Sequence, residues 1–153
     1  MNELSRHDRP RREAAVNDEE LRAAVRVIAR LGRVLECTPA PLTMTQYRLL
    51  ALAEADVSRC SRLARGLLLT KPAVSGTVDA LAALGLLLRV PDPADRRASH
   101  IELTEAGVRA LRTTEAALGD SLQPLFTGTS DPGRLLSILE ELETVLDRAR
   151  EGG

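Results

Sequence analysis

Residues 95–107 read DRRASHIELTEAG and join a charged turn to an alternating strand and then to the start of a helix. Ile101 and Leu103 alternate with polar residues, which is typical of a strand with one face on a core and the other in water. Thr104 is a favourable N-cap for the helix that follows. The stretch therefore predicts the return strand of a β-hairpin that leads directly into a helix.

The outgoing strand of this hairpin is predicted at Leu86–Val90, a short run that is apolar except for Arg89. Pro91-Asp92-Pro93 closes the run with residues that favour turns. The projecting tip carries Arg96 and Arg97 beside two aspartates. An arginine oriented by an aspartate on such a tip is suited to a DNA groove. The alternative is that the pair only stabilises the hairpin as a salt bridge.

The segment before the hairpin predicts a helix over residues 71–84, with Thr70 as N-cap and Gly85 as its stop. Its apolar residues recur at helical spacing: Val74, Val78, Leu81 and Leu84. A shorter helix with Leu63 and Ala64 precedes it, capped by Ser58 and followed by a tight connection at residues 66–69. Helix, turn, helix and hairpin together predict a winged helix-turn-helix.

Here the chain resembles the multiple-antibiotic-resistance regulator (MarR) family of bacterial transcription factors. The residues that carry the resemblance are Leu63-Ala64, Val74-Ser75, Val78-Asp79, Leu81, Gly85-Leu86, Arg89, Asp92-Pro93-Ala94-Asp95-Arg96-Arg97 and Leu103-Thr104-Glu105-Ala106-Gly107. The resemblance implies a mainly α fold with a small β-hairpin, in which N- and C-terminal dimerisation helices flank the winged helix-turn-helix. It also implies a homodimer that binds an inverted-repeat operator in double-stranded DNA.

The same resemblance assigns DNA contacts to two parts of the winged unit. Helix 71–84 would enter the major groove, and the wing would touch the adjacent minor groove through Arg97, oriented by Asp95, with Arg96 on phosphate. The full set of expected DNA-binding residues is Lys71, Ser75, Thr77, Arg89, Asp95, Arg96 and Arg97. Family members commonly carry basic residues at the positions of Gly76 and Ala80, so base readout falls to Lys71, Ser75 and Thr77. Serine and threonine discriminate between bases less sharply than a bidentate arginine does.

Capping patterns predict the flanking helices. Asn17 with Glu20 opens a helix that runs to about Cys37, and Thr43 with Gln46 opens the next. After the wing, Thr104 begins a helix that residues 124–130 should break, and Asp131-Pro132 begins the last one. We therefore predict a mobile tail at 1–16 and one domain at 17–150. Within it, the winged unit covers about 43–104, and the dimerisation helices cover about 17–37 and 105–150.

Charge is unevenly distributed along the chain, although the formal net charge is only −1. Residues 59–112 hold nine basic and five acidic residues, whereas residues 113–153 hold three basic and eight acidic ones. The winged unit is therefore the positive part of the molecule, as a DNA-binding surface requires. Ordinary variation of a solvated surface is the alternative explanation.

Composition argues against several other classes of protein. Cys37 and Cys60 form no C-x-x-C pair, which excludes a disulfide scaffold and fits a reducing cytoplasm. Neither histidine has a partner at catalytic spacing, and no G-x-x-x-x-G-K loop occurs, so we expect no enzyme, cofactor or metal. Redox control through Cys37 or Cys60 stays open, with Cys60 in the more favourable electrostatic setting between two arginines.

These observations and the resemblance predict a sequence-specific DNA-binding transcriptional regulator. The resemblance implies a repressor more than an activator, released by a small anionic or amphipathic effector. The expected effector site joins the dimer helices to the winged unit, lined by Leu42, Tyr47, Arg48 and Leu50. The alternative for these residues is that they fill the core. The alternative for the protein is an interaction module that kept the winged fold and binds DNA weakly, since helix 71–84 carries only one basic residue.

Overall fold

The computed structural model describes residues 16–55, 60–67, 69–91 and 99–151. In these ranges the elements are α1 (Asp18–Cys37), α2 (Met44–Glu54), α3 (Cys60–Leu67), α4 (Lys71–Ala83), β1 (Leu87–Pro91), β2 (Ser99–Leu103), α5 (Glu105–Thr127) and α6 (Pro132–Glu151). The predicted mainly α fold with one small hairpin is confirmed. Residues 1–15 of the predicted tail at 1–16, and Ser58, lie outside the described residues.

The predicted capping interactions are present at the helix starts. Asn17 Oδ1 accepts from Glu20 N at 2.9 Å while Glu20 Oε2 accepts from Asn17 N at 3.0 Å. Thr43 and Gln46 form the same reciprocal pair at α2. Each pair satisfies backbone N–H groups that a helix start leaves without intrahelical partners. Local sequence therefore fixes where α1 and α2 begin.

The chain divides into two compact units between Arg33 and Val34. In the second unit, α2, α3, α4 and the hairpin enclose a core that also contains Leu111 of α5. Leu49, for which the sequence predicted no inward position, is fully buried beside Leu50. The other buried hydrophobic members are Leu42, Leu63, Ala64, Val74, Val78, Leu81, Leu87 and Ile101.

Strands β1 and β2 form an antiparallel pair in which Leu87 faces Leu103 and Arg89 faces Ile101. Directly opposed residues project from the same face of a sheet. Because Leu87 and Ile101 are both 1% exposed, that face lies on the core, as the alternation predicted. The opposite face carries Leu88 and Glu102, which are exposed.

Two predicted boundaries are wrong. Helix α5 does not break at Pro124 but continues to Thr127, and Gly128 caps it by donating to Pro124 O at 3.1 Å. Proline costs this helix the hydrogen bond to the carbonyl of Asp120, but both residues are exposed, so water can solvate that carbonyl. Helix α3 likewise extends through Gly66, which was expected to lie in the connection to α4.

The first and last helices each expose an apolar face. On α1, Leu21, Val25 and Ile28 are 57–65% exposed, and on α6, Leu139, Leu142, Val145 and Leu146 are 44–60% exposed. Within the described residues no helix has the length and hydropathy of a membrane span. Burial of such apolar side chains against another surface lowers the free energy, because it removes them from water.

Candidate nucleic-acid interface

Burial of one side of helix α4 determines which side chains it exposes on the other. Val74, Val78 and Leu81 are each 0% exposed and anchor the helix to the core. A helix buried along this stripe must turn the opposite stripe to solvent. That exposed stripe consists of Pro72, Gly76, Asp79, Ala80 and Ala83. It is uninterrupted by long side chains, which allows close approach to a partner surface.

The three residues of α4 expected to read bases occupy different positions. Lys71 is exposed in the first turn, where Thr70 Oγ1 caps the helix by accepting from Ala73 N. Thr77 is half-buried and its hydroxyl donates to Ala73 O at 3.0 Å. Ser75 is also half-buried, and its hydroxyl accepts from Arg89 Nη2 at 3.3 Å. Lys71 is thus the cation on this helix, while both hydroxyls already have partners in the protein.

Arg89 of β1 reaches across to α4 and pairs with Asp79. Arg89 Nη2 lies 2.6 Å from Asp79 Oδ1, with the two side chains 35% and 65% exposed. This ion pair joins the wing strand directly to the helix that the resemblance places in the major groove. No local sequence pattern indicates the pairing, because the partners are ten residues apart on different elements.

The tip of the wing lies outside the described residues, and with it Asp95, Arg96 and Arg97. The strands that lead to it are paired up to Pro91 opposite Ser99. On the outer face of the hairpin, His100 Nε2 lies 3.0 Å from Glu102 Oε1.

Hydrogen bonds connect the end of α4 to the start of α5. Gly85 has φ of 71° and ends α4 in the left-handed conformation that glycine adopts without strain. Leu86 O accepts from Thr104 N at 3.1 Å, and Thr104 Oγ1 donates to Gly85 O at 2.7 Å. The same Oγ1 caps α5 by accepting from Gly107 N at 3.0 Å. The wing is therefore clamped at its base.

The four residues expected at an effector site divide between core and surface. Leu42 and Leu50 are 5% and 0% exposed and belong to the core, with half-buried Tyr47 packed against it, while Arg48 is exposed. Burial, and secondarily the negative charge of Glu115, raises the pKa of the Tyr47 hydroxyl. Of the four residues, Tyr47 and Arg48 are therefore the two that solvent reaches.

Ion pairs connect α2 to α5 beside Tyr47. Arg112 Nη2 lies 2.7 Å from Glu54 Oε1, and Arg112 Nη1 lies 2.8 Å from Glu115 Oε2. The hydrogen bond to Glu115 and the charge of Glu54 raise the pKa of the Arg112 guanidinium, which stays positive. Among the residues described, no group of three or more His, Cys, Asp or Glu side chains could hold a metal ion.

Comparisons with known proteins agree with this architecture. A family model described as the MarR family matches residues 40–98, which span the helix-turn-helix and most of the wing. The HTH-type transcriptional repressor NicR of Pseudomonas putida is 28% identical over 117 residues, covering 76% of this chain and 73% of NicR.

Two solved structures share the fold. BpsR of Bordetella bronchiseptica, whose DNA binding is regulated by 6-hydroxynicotinic acid, superimposes with a TM-score of 0.66 at 21% identity, covering 84% of this chain and 98% of BpsR. A cysteine-to-serine mutant of MarR from E. coli, in complex with operator DNA, gives a TM-score of 0.64 at 24% identity, covering 84% of this chain and 94% of that one.

Proposed function

We propose that the chain is a member of the MarR family of bacterial winged helix-turn-helix transcriptional regulators, and that it is a homodimeric repressor released from its operator by a small-molecule effector. The observation that carries the proposal is the exposed outer face of α4 directly beside the wing strand that bears Arg89. A helix with small outward residues can lie deep in a major groove, which is wide enough to admit an α-helix.

In the proposed complex, α4 reads bases through Lys71, Ser75 and Thr77. The wing enters the adjacent minor groove with Arg97, oriented by Asp95, and Arg96 contacts phosphate. Arg89 adds a contact at the base of the wing. Arginine suits these positions because its planar fork donates several hydrogen bonds to phosphate and base acceptors.

The proposed dimer would cover the apolar faces of α1 and α6 with the same elements of a second copy. A stable interface of ordinary size buries about 1,200–2,000 Å² in total. Two exposed apolar helices per chain offer surface of this kind, and dimers with two-fold symmetry are the commonest assemblies. The domain at 17–150 would then contain one winged unit, at about 43–104, and dimerisation helices at about 17–37 and 105–150.

Two substitutions on α6 test the dimer. Leu142 lies in the apolar stripe and Thr144 on the polar side of the same helix, and both are exposed. We expect Leu142→Asp to shift the protein toward monomer in sedimentation and to weaken operator binding, because a charge buried in an interface costs several kcal/mol. The matched Thr144→Asp variant should stay dimeric. If Leu142→Asp stays fully dimeric, α6 is not the interface.

The proposed effector is a small anionic or amphipathic compound, which the regulation of BpsR by 6-hydroxynicotinic acid supports. Its site would have Tyr47 and Arg48 as polar groups, above the core in which Leu42 and Leu50 are buried. Wild-type protein should gain thermal stability with 6-hydroxynicotinic acid or a related acid and release its operator. Arg48→Ala should lose both effects, whereas Arg109→Ala, an exposed arginine on α5, should keep them. Equal responses of the two variants would remove Arg48 from the site.

Regulators of this family are typically non-enzymatic, so the proposal assigns no reaction, cofactor or metal to the chain. It places the protein in the bacterial cytoplasm, where its DNA lies.

Footprinting on DNA upstream of the protein's own coding region tests the function as a whole. We expect protection of an inverted repeat whose half-sites lie about 34–36 Å apart or slightly more. The second candidate is a protein-interaction module, favoured by an outer face of α4 whose only charged side chain is that of Asp79. A folded dimer that gives no sequence-dependent protection would support that candidate and contradict the repressor.

A further inference from the structure

Asp79 is a carboxylate in an unfavourable position for a DNA-binding helix. It lies on the exposed stripe of α4, and its side chain is 65% exposed. If this stripe enters the major groove, the carboxylate approaches a surface that carries one negative charge per about 1.7 Å of duplex. The repulsion between this carboxylate and the DNA phosphates should therefore be offset by another interaction of Asp79.

The contact with Arg89 gives the role. The guanidinium has five N–H donors in a rigid fork. Nη2 uses its two on Asp79 Oδ1 at 2.6 Å and Ser75 Oγ at 3.3 Å. The three N–H groups on Nη1 and Nε have no hydrogen-bond partner within the described parts of the chain. Asp79 and Ser75 thus fix one arm of the fork, and the other three N–H groups are left to donate elsewhere.

The wing strand delivers Arg89 to this place. Arg89 pairs with Ile101, so its side chain leaves the core-facing side of the hairpin, on which Leu87 and Ile101 are buried. From that side it reaches α4 at the edge of the core. A long arginine side chain without a partner would sample many rotamers, and the aspartate removes this freedom before DNA arrives.

We propose that Asp79 is a positioning residue for DNA binding: it holds the Arg89 guanidinium so that its remaining N–H groups meet a phosphate beside the major groove. The proposal rests on the proposed function, because it takes α4 and the wing as the DNA-binding surface. Asp79 itself contacts no DNA. Its negative charge is neutralised by Arg89, and the pair acts as one oriented donor.

Positioning and simple charge repulsion predict opposite results for Asp79→Asn. If Asp79 were only a negative charge near phosphates, removing it would tighten binding and leave every phosphate contact in place. If it positions Arg89, the substitution should weaken operator binding about tenfold, the effect of losing one charge-assisted hydrogen bond at a phosphate. Loss of one phosphate contact should also lower the slope of log K against log salt by about 0.9 in magnitude.

The experiment measures fluorescence anisotropy of a labelled operator over a salt series, with four variants beside wild type: Asp79→Asn, Arg89→Ala, their double mutant, and Glu102→Gln. Glu102 lies exposed on the opposite face of the hairpin, so its substitution removes a wing carboxylate without touching Arg89. We expect Asp79→Asn and Arg89→Ala to weaken binding and reduce the slope, the double mutant to match Arg89→Ala, and Glu102→Gln to bind no more weakly than wild type.

Three outcomes would overturn the proposal: tighter or unchanged binding by folded Asp79→Asn, an unchanged salt slope, or an additional tenfold loss when Asp79→Asn is added to Arg89→Ala. Circular dichroism establishes folding, and Asp79→Ala carries the same prediction if the amide variant does not fold. The proposed function fails separately, because wild-type protein would then show no sequence-specific binding to compare against.

Discussion

Gly107→Ala should destabilise the protein, although alanine is the better helix former. Gly107 is buried in the first turn of α5. A Cβ at this position would lie 1.9 Å from Leu86 O, whereas real Cβ contacts lie beyond 3.0 Å. The carbonyl and the helix start must therefore separate by at least 1.1 Å. The obstacle is backbone, which cannot rotate out of the way as a side chain does.

The movement disrupts several interactions at once. Leu86 O also accepts from Thr104 N, and Thr104 Oγ1 joins Gly85 O to Gly107 N. Losing the backbone hydrogen bond costs about 1 kcal/mol and weakening the cap about 1 kcal/mol more. Overpacking adds about 1–3 kcal/mol, and the helix propensity of alanine offsets about 1 kcal/mol. The net loss is about 3 kcal/mol, which lowers the Tm of a domain this size by about 6–12 °C.

The assay is thermal unfolding followed by circular dichroism at one fixed protein concentration, because the proposed dimer would make Tm depend on concentration. Gly119→Ala is the matched control: Gly119 lies in the same helix and has nothing within 4 Å of an added Cβ. It should raise the Tm slightly through helix propensity. If Gly107→Ala melts at or above the wild-type temperature, the close approach of α5 to Leu86 does not exist in solution.

Three further predictions concern the DNA surface and Tyr47. Gly76→Ala should stabilise the fold by about 1 kcal/mol, because alanine is the better helix former and the added Cβ meets open space. It should also weaken operator binding, because the Cβ keeps the α4 backbone away from DNA. Unchanged binding would mean that this backbone does not approach DNA closely. Arg97→Ala should cost about 1–3 kcal/mol of operator binding in anisotropy, with Arg109→Ala near wild type, and equal affinities would remove Arg97 from the minor groove. Tyr47→Phe should reduce the loss of unfolding free energy above about pH 10. The pKa of Tyr47 is raised in the folded state, so the hydroxyl ionises first in the unfolded state and the wild type loses stability there. If urea melts from about pH 9 to 11 show the same loss for variant and wild type, this reasoning is wrong.

Much of the architecture could be predicted because its signals are short-range. The caps at Asn17, Thr43 and Thr70 act on N–H groups two or three residues away, so the sequence places these helix starts correctly. The alternation around Ile101 likewise reports which face of the strand is buried. The exception, Pro124 within α5, shows the limit of such rules, because a proline disfavours a helix interior but does not always end the helix.

The amino-acid sequence by itself determined the order of elements and the winged helix-turn-helix, since caps, periodicity and motif spacing act within a few neighbouring residues; the residues expected to meet DNA stay a prediction. Only the tertiary structure decided the pairing of Asp79 with Arg89, the contact of Gly107 with Leu86 and the full burial of Leu49. Each of these depends on how separate helices and strands pack. Packing of this kind is set by the shape of the whole core, and no local pattern encodes it.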